Sequence, residues 1–403
     1  MNDVVNVRAV DALSAGQLRL RVALVTETYP PEVNGVAMTL GRMVGGLLRR
    51  GHSVQLIRPR QNPGERPAIE QRFQEVLVSG LPIPKYDGLR FGLPSGSRLT
   101  RLWQQQRPDI VHVATEGPLG WSAVAAARKL RLPISSGFHT NFHHYSSHYG
   151  LGWLRKPIGA YLRGLHNRTN VTLVPTQTLA GELRGSGFRN LAVVSRGVDI
   201  DLFHSGHRSA ALRAGWGAMD DELVVLCVGR LAPEKNIPLV LAAFAAIRQL
   251  RPDAKLLFVG DGPMRSSLSA SCPEAILAGM RSGDDLAAHY ASADLFLFPS
   301  MTETFGNVTT EALASGLGVV AFDYAAAADL IADGINGRAV AFGDEAAFVT
   351  AAAACAAMDP VQLSRLRANA AASVAHLNWE LIHDRFDSVL SGAVAAHAFA
   401  AAR

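Results

Sequence analysis

Two groups of residues in the C-terminal half have the types and spacing needed to bind a phosphorylated, hydroxyl-rich ligand. In the segment VGRLAPEKN, Gly229 permits a tight turn after an apolar run, and Arg230 and Lys235 bring two cations to the same loop. A guanidinium donates paired hydrogen bonds and an ammonium acts as a compact point charge, so the two together suit a diphosphate. The alternative interpretation is a surface loop in which Glu234 pairs with these cations.

The second group lies in the segment PSMTETFGNVTTEALASG, where a loop leads into a predicted helix. The amides at a helix start can bind an anion, and carboxylates can accept hydrogen bonds from vicinal hydroxyls. Glu311, one turn into the helix, suits a ribose diol, and Glu303, in the loop, suits a hexose hydroxyl. The alternative is a capping glutamate beside an ordinary surface glutamate. The turn and helix start that would contact the ligand are Phe305, Gly306, Asn307 and Val308.

The N-terminal half contributes two further candidates. Gly35, in TETYPPEVNGVA, lets the backbone approach a ligand at a helix start, and His139 ends a predicted strand that should point into a cleft between two domains. His139 also belongs to a histidine-rich run in which some side chains are spaced by four residues, as metal ligands on a helix are. However, HExxH is lacking and histidines offset by one cannot share a helical face, so the sequence predicts no metal site. The other members of the run are His143, His144 and His148.

Apolar, β-rich runs alternate with helix-period segments almost throughout the chain. Continuous apolar strands indicate parallel sheets covered on both faces, so the predicted fold is α/β, with two doubly wound, Rossmann-like domains facing each other across a cleft. Strands are expected at 20–25, 53–57, 109–113, 134–138, 171–174, 191–194, 223–228, 255–259, 295–298 and 319–322, and helices at 37–50, 118–130, 177–185, 238–250, 307–315 and 344–357.

The polar, turn-rich segment 196–215 marks the break between the two domains. The predicted boundaries are a tail at 1–17, an N-terminal domain at 18–198, a donor-binding domain at 199–377 and a C-terminal helix at 378–403 that packs back on the N-terminal domain. Asp199 and Asp201, in a DID triplet within the connector, are interpreted as turn and capping residues. No GxGxxG fingerprint follows the first strand, which argues against a nicotinamide dehydrogenase.

Charge is distributed unevenly along the chain. Residues 1–196 carry 25 Lys and Arg against 11 Asp and Glu, a net of +14, whereas residues 197–403 carry 14 against 23, a net of −9. The basic half could present an ordinary solvated surface or could face anionic lipid headgroups, and no motif supports nucleic-acid binding. Three scattered cysteines fit a reducing cytoplasm, and neither a membrane-spanning run nor a cleavable signal peptide is expected.

Together these segments resemble glycosyltransferase family 4, retaining enzymes of the GT-B architecture. The resemblance covers about residues 20–390 and is strongest in the E-x7-E pattern from Glu303 to Glu311, then in GRLAPEKN and PPEVNGV. HVATEGPLGWSA, FHTNFHHYSSHYG, VSRGVDIDLF and FDYAAAADLI resemble a subgroup of GDP-mannose-dependent α-mannosyltransferases. The chain departs from many members at Ala325–Ala327, where they carry glycines that approach the sugar. The resemblance therefore leaves open which hexose is transferred.

The resemblance implies that Arg230 and Lys235 hold the diphosphate, Glu303 the transferred sugar and Glu311 the ribose. It implies backbone contacts to the donor at Gly306, Asn307 and Val308, with Gly35 and His139 closing the site from the first domain. Two cations and helix-start amides would replace a divalent metal, so no cofactor is expected. GDP-mannose is the favoured donor, with a UDP-hexose used to make a glycosyl diacylglycerol as the alternative.

The expected acceptor is a membrane glycolipid or a lipid-linked sugar at the inner face of the cytoplasmic membrane. The segments LRRGHSVQLIRPR and WLRKPIGAYLRGLHNR, which mix cations with apolar residues, are predicted to hold the protein there as a peripheral, cytoplasmic enzyme. Two alternatives of other classes are a sugar-nucleotide epimerase, which would need no acceptor, and a sugar-nucleotide-binding protein without catalytic activity.

Overall fold

The computed structural model describes residues 19–32, 34–82, 90–139 and 155–402. These residues form two compact units of similar size. The first unit comprises the described residues up to Pro175, then Ala180–Val194 and the residues from Ile382 onward, and the second comprises Thr176–Leu179 and Ser195–Leu381. The main boundary between the two units therefore falls between Val194 and Ser195, four residues before the predicted boundary between residues 198 and 199.

A seven-stranded parallel sheet forms the centre of the first unit, with strand order β3-β2-β1-β6-β7-β8-β9. A short antiparallel pair, β4 and β5, follows β3 along the chain. The central strands are buried along almost their whole length, because helices cover both faces of a doubly wound sheet. The strands are β1 Arg21–Val25, β2 Ser53–Pro59, β3 Phe73–Val78, β4 Gly80–Pro82, β5 Arg90–Gly92, β6 Ile110–Val113, β7 Ile134–Gly137, β8 Val171–Val174 and β9 Leu191–Val193.

Five helices connect these strands in the part of the chain that the structure describes. Their apolar sides pack on the sheet around the fully buried Trp103, whose Nε1 donates a 3.0 Å hydrogen bond to Gln55 Oε1. The helices are α1 Gly35–Arg49, α2 Gly96–Gln105, α3 Pro118–Lys129, α4 Arg155–His166 and α5 Gln177–Gly185.

The second unit is built on a six-stranded parallel sheet of order β12-β11-β10-β13-β14-β15. In both sheets the order reverses next to the first strand of the unit, which places a crevice at the carboxyl ends of β1 and β6 and another at those of β10 and β13. The strands are β10 Val224–Val228, β11 Lys255–Val259, β12 Ile276–Gly279, β13 Leu295–Phe298, β14 Gly318–Phe322 and β15 Gly337–Val340.

The helices of the second unit cover both faces of this sheet. Phe258, Phe322 and Phe348 lie in its core and are at most 1% exposed. The helices are α6 Ala210–Gly215, α7 Ile237–Leu250, α8 Arg265–Ser271, α9 Gly283–Ser292, α10 Asn307–Ala314, α11 Ala326–Leu330, α12 Glu345–Ala356 and α13 Pro360–Ser373.

The last helix, α14 (Trp379–Ala401), packs on the first unit from Ile382 onward. Asp384 pairs with Arg50 at 2.6 Å, and Phe386 meets His112 edge to face with ring centroids 5.3 Å apart. Gly46 of α1 leaves room for the His383 ring, since a Cβ on Gly46 would lie 2.4 Å from it. The chain thus returns to its N-terminal unit through both apolar packing and an ion pair.

The predicted doubly wound α/β fold is confirmed in both units. What the sequence did not indicate were the edge strands β3, β12 and β15, the β4–β5 pair and helices such as α2, α9 and α13. The DID triplet lies in a turn in which Asp199 accepts backbone hydrogen bonds from Leu202 and Phe203, as expected from its interpretation as turn chemistry.

One predicted membrane-facing segment lies partly within the sheet of the first unit. In LRRGHSVQLIRPR, Arg58 lies on the buried strand β2 and pairs with Glu75 at 3.0 Å and with Glu65 at 2.7 Å. Arg50 is engaged with Asp384. Cations that already have partners inside the unit are poor ligands for lipid headgroups, so these contacts do not favour the membrane role of this segment, which stays a prediction.

Candidate active site

The candidate site of the second unit lies at the crevice where β10 and β13 run side by side. The loop after β10 carries Gly229, Arg230 and Lys235, the last of these in a single 3₁₀ turn, Pro233–Lys235. The loop after β13 carries Glu303 and leads into α10. The two loops are joined by a 2.8 Å hydrogen bond from the Met301 amide to the Glu234 carbonyl. Strand order therefore brings together two loops that are about 70 residues apart in sequence.

Lys235 and Glu303 form a close ion pair at this junction. Ser300 completes the group, because its hydroxyl donates to Glu303 Oε1 at 2.9 Å and lies 3.4 Å from Lys235 Nζ. The ammonium also lies 5.2 Å from the centroid of the Phe298 ring. Both charged side chains are less than one-fifth exposed, so the pair is held in place by its surroundings and keeps one face toward the crevice.

Arg230 lies apart from this pair, with a side chain that is 60% exposed. Its closest charged neighbour is Glu234, with Nη1 and Oε1 4.0 Å apart, at the outer limit of an ion pair. Such a contact between exposed groups contributes little to stability. The guanidinium therefore remains accessible, and its predicted role on a diphosphate stays a prediction.

Gly229 and Gly260 allow the loops after β10 and β11 to touch. Gly229 has φ +144° and Gly260 has φ +132°, and a Cβ on Gly260 would lie 2.0 Å from the Gly229 carbonyl oxygen. A Cβ on Gly262 would likewise meet the Leu231 carbonyl at 2.4 Å. The glycines of the VGDGP segment are therefore needed because this backbone packs too closely on the loop that carries Lys235 to leave room for a Cβ.

Helix α10 begins at Asn307, directly after a residue in the left-handed region. Gly306 has φ +90°, and its flexibility turns the chain sharply into the helix. Phe305 is 2% exposed and anchors the turn, and its carbonyl accepts a 2.8 Å hydrogen bond from the Ala326 amide. The first-turn amides, Val308 among them, carry the partial positive charge of a helix N-terminus.

Glu311, one turn along α10, accepts a 2.9 Å hydrogen bond from the hydroxyl of Tyr290. Burial raises the pKa of the Glu311 carboxyl to about 7, and the Tyr290 hydrogen bond opposes part of that rise. The carboxyl therefore changes charge near neutral pH, which an ordinary surface or capping glutamate would not do.

Arg196 is a residue of this site that the sequence analysis missed. Its Nη1 lies 3.4 Å from Asn307 Oδ1, and its guanidinium carbon lies 5.7 Å from the centroid of the Phe305 ring. The residue is 5% exposed, and burial lowers its pKa to about 10, while Glu303 opposes the change. In the sequence this arginine stands in a polar connector and looks like any other arginine, because its burial is visible only in the structure.

The candidates of the first unit lie at the carboxyl edge of its own sheet. Gly35 is the first residue of α1, where the Asn34 side chain accepts hydrogen bonds from the amides of Val36 and Ala37 at 3.1 and 2.9 Å. His139 follows β7, and its imidazole packs so closely over Gly137 that a Cβ there would lie 2.6 Å from Nε2. His143, His144 and His148 lie outside the described residues.

Glu27 was not predicted, although it follows β1 at the crevice of the first sheet. Its carboxyl accepts hydrogen bonds from the amides of Gly92 at 3.3 Å and Leu119 at 3.4 Å. Burial raises its pKa to about 7, these two amides oppose the shift, and nearby Glu116 adds to it. The first unit thus holds a largely buried carboxyl with a raised pKa at the carboxyl edge of its sheet.

No cluster of metal-ligating side chains is present among the described residues. Over the same residues no single helix is long and apolar enough to cross a membrane. Helix α12 and the segment Pro360–Leu377 would be long and apolar enough together, but the chain bends by 115° between them.

The chain is similar to known proteins over most of its length. Residues 33–202 match the family model "Glycosyltransferase Family 4", and residues 222–357 match "Glycosyl transferases group 1". A GDP-mannose-dependent alpha-mannosyltransferase from Corynebacterium glutamicum is 36% identical over 79% of this chain and 76% of its own length. One of the same description from Mycobacterium tuberculosis is 36% identical over 81% of this chain and 85% of its own.

Among solved structures, sucrose-phosphate synthase from Thermosynechococcus elongatus matches with a TM-score of 0.76. The match covers 94% of this chain and all of that one at 20% sequence identity, so it bears on the fold alone.

Proposed function

The chain belongs to glycosyltransferase family 4, has the GT-B fold and is a hexosyltransferase that uses a sugar-nucleotide donor, and from this premise we propose that the donor is GDP-mannose and the acceptor a hydroxyl of a membrane glycolipid. The donor rests on the two mannosyltransferases that are 36% identical over most of the chain. The site observation that carries the proposal is the Lys235–Glu303 pair beside the start of α10, with Glu311 one turn further on.

Each group of the site has a matching part of a sugar nucleotide. The ammonium of Lys235 has three N–H donors, and the contacts to Glu303 and Ser300 leave one for a phosphate oxygen. Glu303 can accept a hydrogen bond from a hexose hydroxyl while it keeps Lys235 in place. The ionised Glu311 can accept both hydroxyls of the ribose, and Arg230 lies on the exposed side of the same loop, where it can bind the diphosphate.

The reaction breaks the bond between the anomeric carbon and the phosphate oxygen and forms one to the acceptor oxygen. Negative charge develops on the departing diphosphate, and fixed cations and helix-start amides stabilise it, an effect that contributes several kcal/mol in enzymes. We infer retention of configuration by attack on the same face, with the leaving phosphate taking the proton of the acceptor hydroxyl. Because protein cations meet the charge, the transfer needs no divalent metal.

The lipid acceptor is supported by helix α4 of the first unit. Lys156, Tyr161 and Arg163 are exposed on this helix, and the Tyr161 hydroxyl donates a 2.7 Å hydrogen bond to the Glu116 carbonyl in the loop after β6. The basic helix therefore lies beside the carboxyl edge of the sheet, close to Glu27. Exposed cations and a tyrosine are suited to an anionic membrane surface, where each cation contributes about 1 kcal/mol.

The donor is tested by thermal shift of the whole protein with GDP, UDP, GDP-mannose and UDP-glucose, each with and without EDTA. A shift with the guanine nucleotides that EDTA leaves unchanged is the expected result. A shift with the uracil nucleotides alone would refute GDP-mannose and leave a UDP-hexose transferase. Epimerisation of the donor in the absence of acceptor would refute transfer.

The membrane part is tested by co-sedimentation at low salt with phosphatidylglycerol vesicles and with phosphatidylcholine vesicles. We expect binding to the anionic vesicles only, and we expect Lys156→Glu with Arg163→Glu to abolish it. The control is Arg128→Glu with Arg131→Glu, the same charge change at the opposite end of the sheet, where helix α3 ends. Equal loss in both variants would indicate attraction to the whole basic unit and would refute a specific role of α4.

A further inference from the structure

Arg196 is a buried cation of the second unit that is not paired with a carboxylate at hydrogen-bond distance among the described residues. Two of its three nitrogen atoms, Nε and Nη2, are buried and have no hydrogen-bond partner among the described residues. The third, Nη1, has a single long contact of 3.4 Å, to an uncharged amide oxygen of Asn307. A buried charge is costly unless it is paired, because it has lost its water and has gained little in return.

The other buried arginines of the unit show what a satisfied guanidinium looks like. Arg213 is fully buried, and it pairs with Asp294 at 3.1 Å and donates to the carbonyls of Ser292, Met219 and Glu222. Arg367 pairs with the same aspartate at 3.1 Å and donates to the Gly316 carbonyl. Arg196 has no such ion pair at hydrogen-bond distance in the part of the chain that the structure describes.

The position of Arg196 indicates what completes its set of partners. It contacts the first residue of α10 and the Phe305 ring, and so lies where the helix presents its positive end. Glu303 is already paired with Lys235, so it attracts Arg196 only at longer range and leaves this guanidinium without an ion pair of its own among the described residues. An anion bound at the start of α10 would meet the helix amides and this guanidinium together.

We propose that Arg196 is a donor-binding residue that holds a phosphate oxygen of the sugar nucleotide against the N-terminus of α10. Its planar guanidinium can donate from Nε and Nη2 in parallel to two oxygens of one phosphate. The phosphate supplies the missing counter-charge, and the guanidinium stabilises the diphosphate as it leaves. This inference rests on the use of a sugar-nucleotide donor and is independent of the base and of the acceptor.

The test compares Arg196→Met with the wild type by calorimetric titration of a nucleoside diphosphate and of the matching nucleoside, which lacks the phosphates. The nucleotide is GDP or UDP, whichever shifts the melting of the wild type. We expect Arg196→Met to weaken diphosphate binding at least tenfold, in line with hydrogen bonds to charged groups, and to leave nucleoside binding within twofold. We expect Arg196→Lys to recover only part of the loss, because a lysine cannot donate in parallel.

The melting temperature without nucleotide separates binding from a structural role. Removing an unpaired buried charge should leave it unchanged or raise it. The matched control is Arg367→Met, which removes a satisfied cation and should lower the melting temperature without changing diphosphate affinity. Unchanged diphosphate affinity in Arg196→Met would overturn the proposal, as would an equal loss of nucleoside affinity together with a lower melting temperature. A wild type that binds UDP instead of GDP would overturn the GDP-mannose donor and leave this test intact.

Discussion

Replacing Lys235 with alanine should remove most of the catalytic activity, and the structure explains why a single side chain has this weight. The ammonium contacts Glu303 and is 3.4 Å from the Ser300 hydroxyl. Its removal takes away a cation at the position proposed for the leaving phosphate. It also leaves the Glu303 carboxylate, only 16% exposed, without its counter-charge beside that phosphate.

Both effects act in the same direction. Loss of one preorganised electrostatic donor lowers kcat by about 10²–10³-fold, or roughly 3–4 kcal/mol in the barrier. The freed carboxylate adds repulsion toward the negative charge that develops on the departing diphosphate, so the upper end of this range is expected. Glu303→Gln in the same chain should restore part of the loss, because it removes the orphan charge, and residues in direct contact couple by about 0.5–3 kcal/mol.

The assay is steady-state transfer from the donor identified by thermal shift, with kcat and KM determined separately. Lys255→Ala is the matched control, since Lys255 begins β11 at the amino-terminal edge of the same sheet and should leave both constants unchanged. A Lys235→Ala enzyme with kcat within tenfold of the wild type would refute the placement of the leaving group. A double variant no more active than Lys235→Ala would refute the repulsion attributed to the unpaired Glu303 carboxylate.

Three further predictions follow from the same site. The ionised form of Glu311 accepts the ribose hydroxyls, and its pKa is raised to about 7. Affinity for GDP-mannose, whose diphosphate does not titrate in this range, should therefore rise from about pH 5.5 to about pH 8 in the wild type and be independent of pH in Glu311→Gln. A wild-type affinity that does not change with pH would contradict this. EDTA should leave the transfer rate within about twofold, and a loss that Mg²⁺ or Mn²⁺ restores would show that cations of the protein do not suffice. Ala325 has φ 53° and ψ −133°, a conformation that favours glycine, so Ala325→Gly should raise the free energy of unfolding by about 1–2 kcal/mol in urea titrations, and a decrease would show that the alanine is not strained.

The fold could be predicted from sequence where strands are buried on both faces. β11, β13 and β8 have the predicted bounds, because continuous apolar runs between turn residues have no other use in a doubly wound sheet. Three of the four edge strands, β3, β12 and β15, were missed, whereas the edge strand β9 was predicted. β3 and β12 are only partly buried, and their sequences mix polar and apolar residues in a way that also fits a loop.

The candidate site divides in a similar way. Lys235, Glu303 and Glu311 could be proposed because their spacing and their position after strands imply a ligand. The structure brings Lys235 and Glu303 into contact and buries the Glu311 carboxyl one turn along α10. Arg230 was predicted from the same loop, but its exposure could not be. Glu27 gave no signal in the sequence, because its raised pKa comes from burial and from nearby Glu116, and the amides that it contacts, those of Gly92 and Leu119, are far away in the chain.

Charge balance connects the loops of the second unit. The charges of Lys235 and Glu303 cancel each other, so the positive charge available to a phosphate comes from the buried Arg196 and the exposed Arg230. Two arginines match the two negative charges of a nucleoside diphosphate ester, and their different surroundings imply different contributions. The buried guanidinium acts where little water screens it and should contribute mainly to affinity and leaving-group stabilisation, whereas the exposed one should contribute mainly to attraction of the donor and lose its effect in salt. Raising the ionic strength should therefore reduce donor affinity more in the wild type than in Arg230→Gln, and Arg196→Met should keep the salt dependence of the wild type.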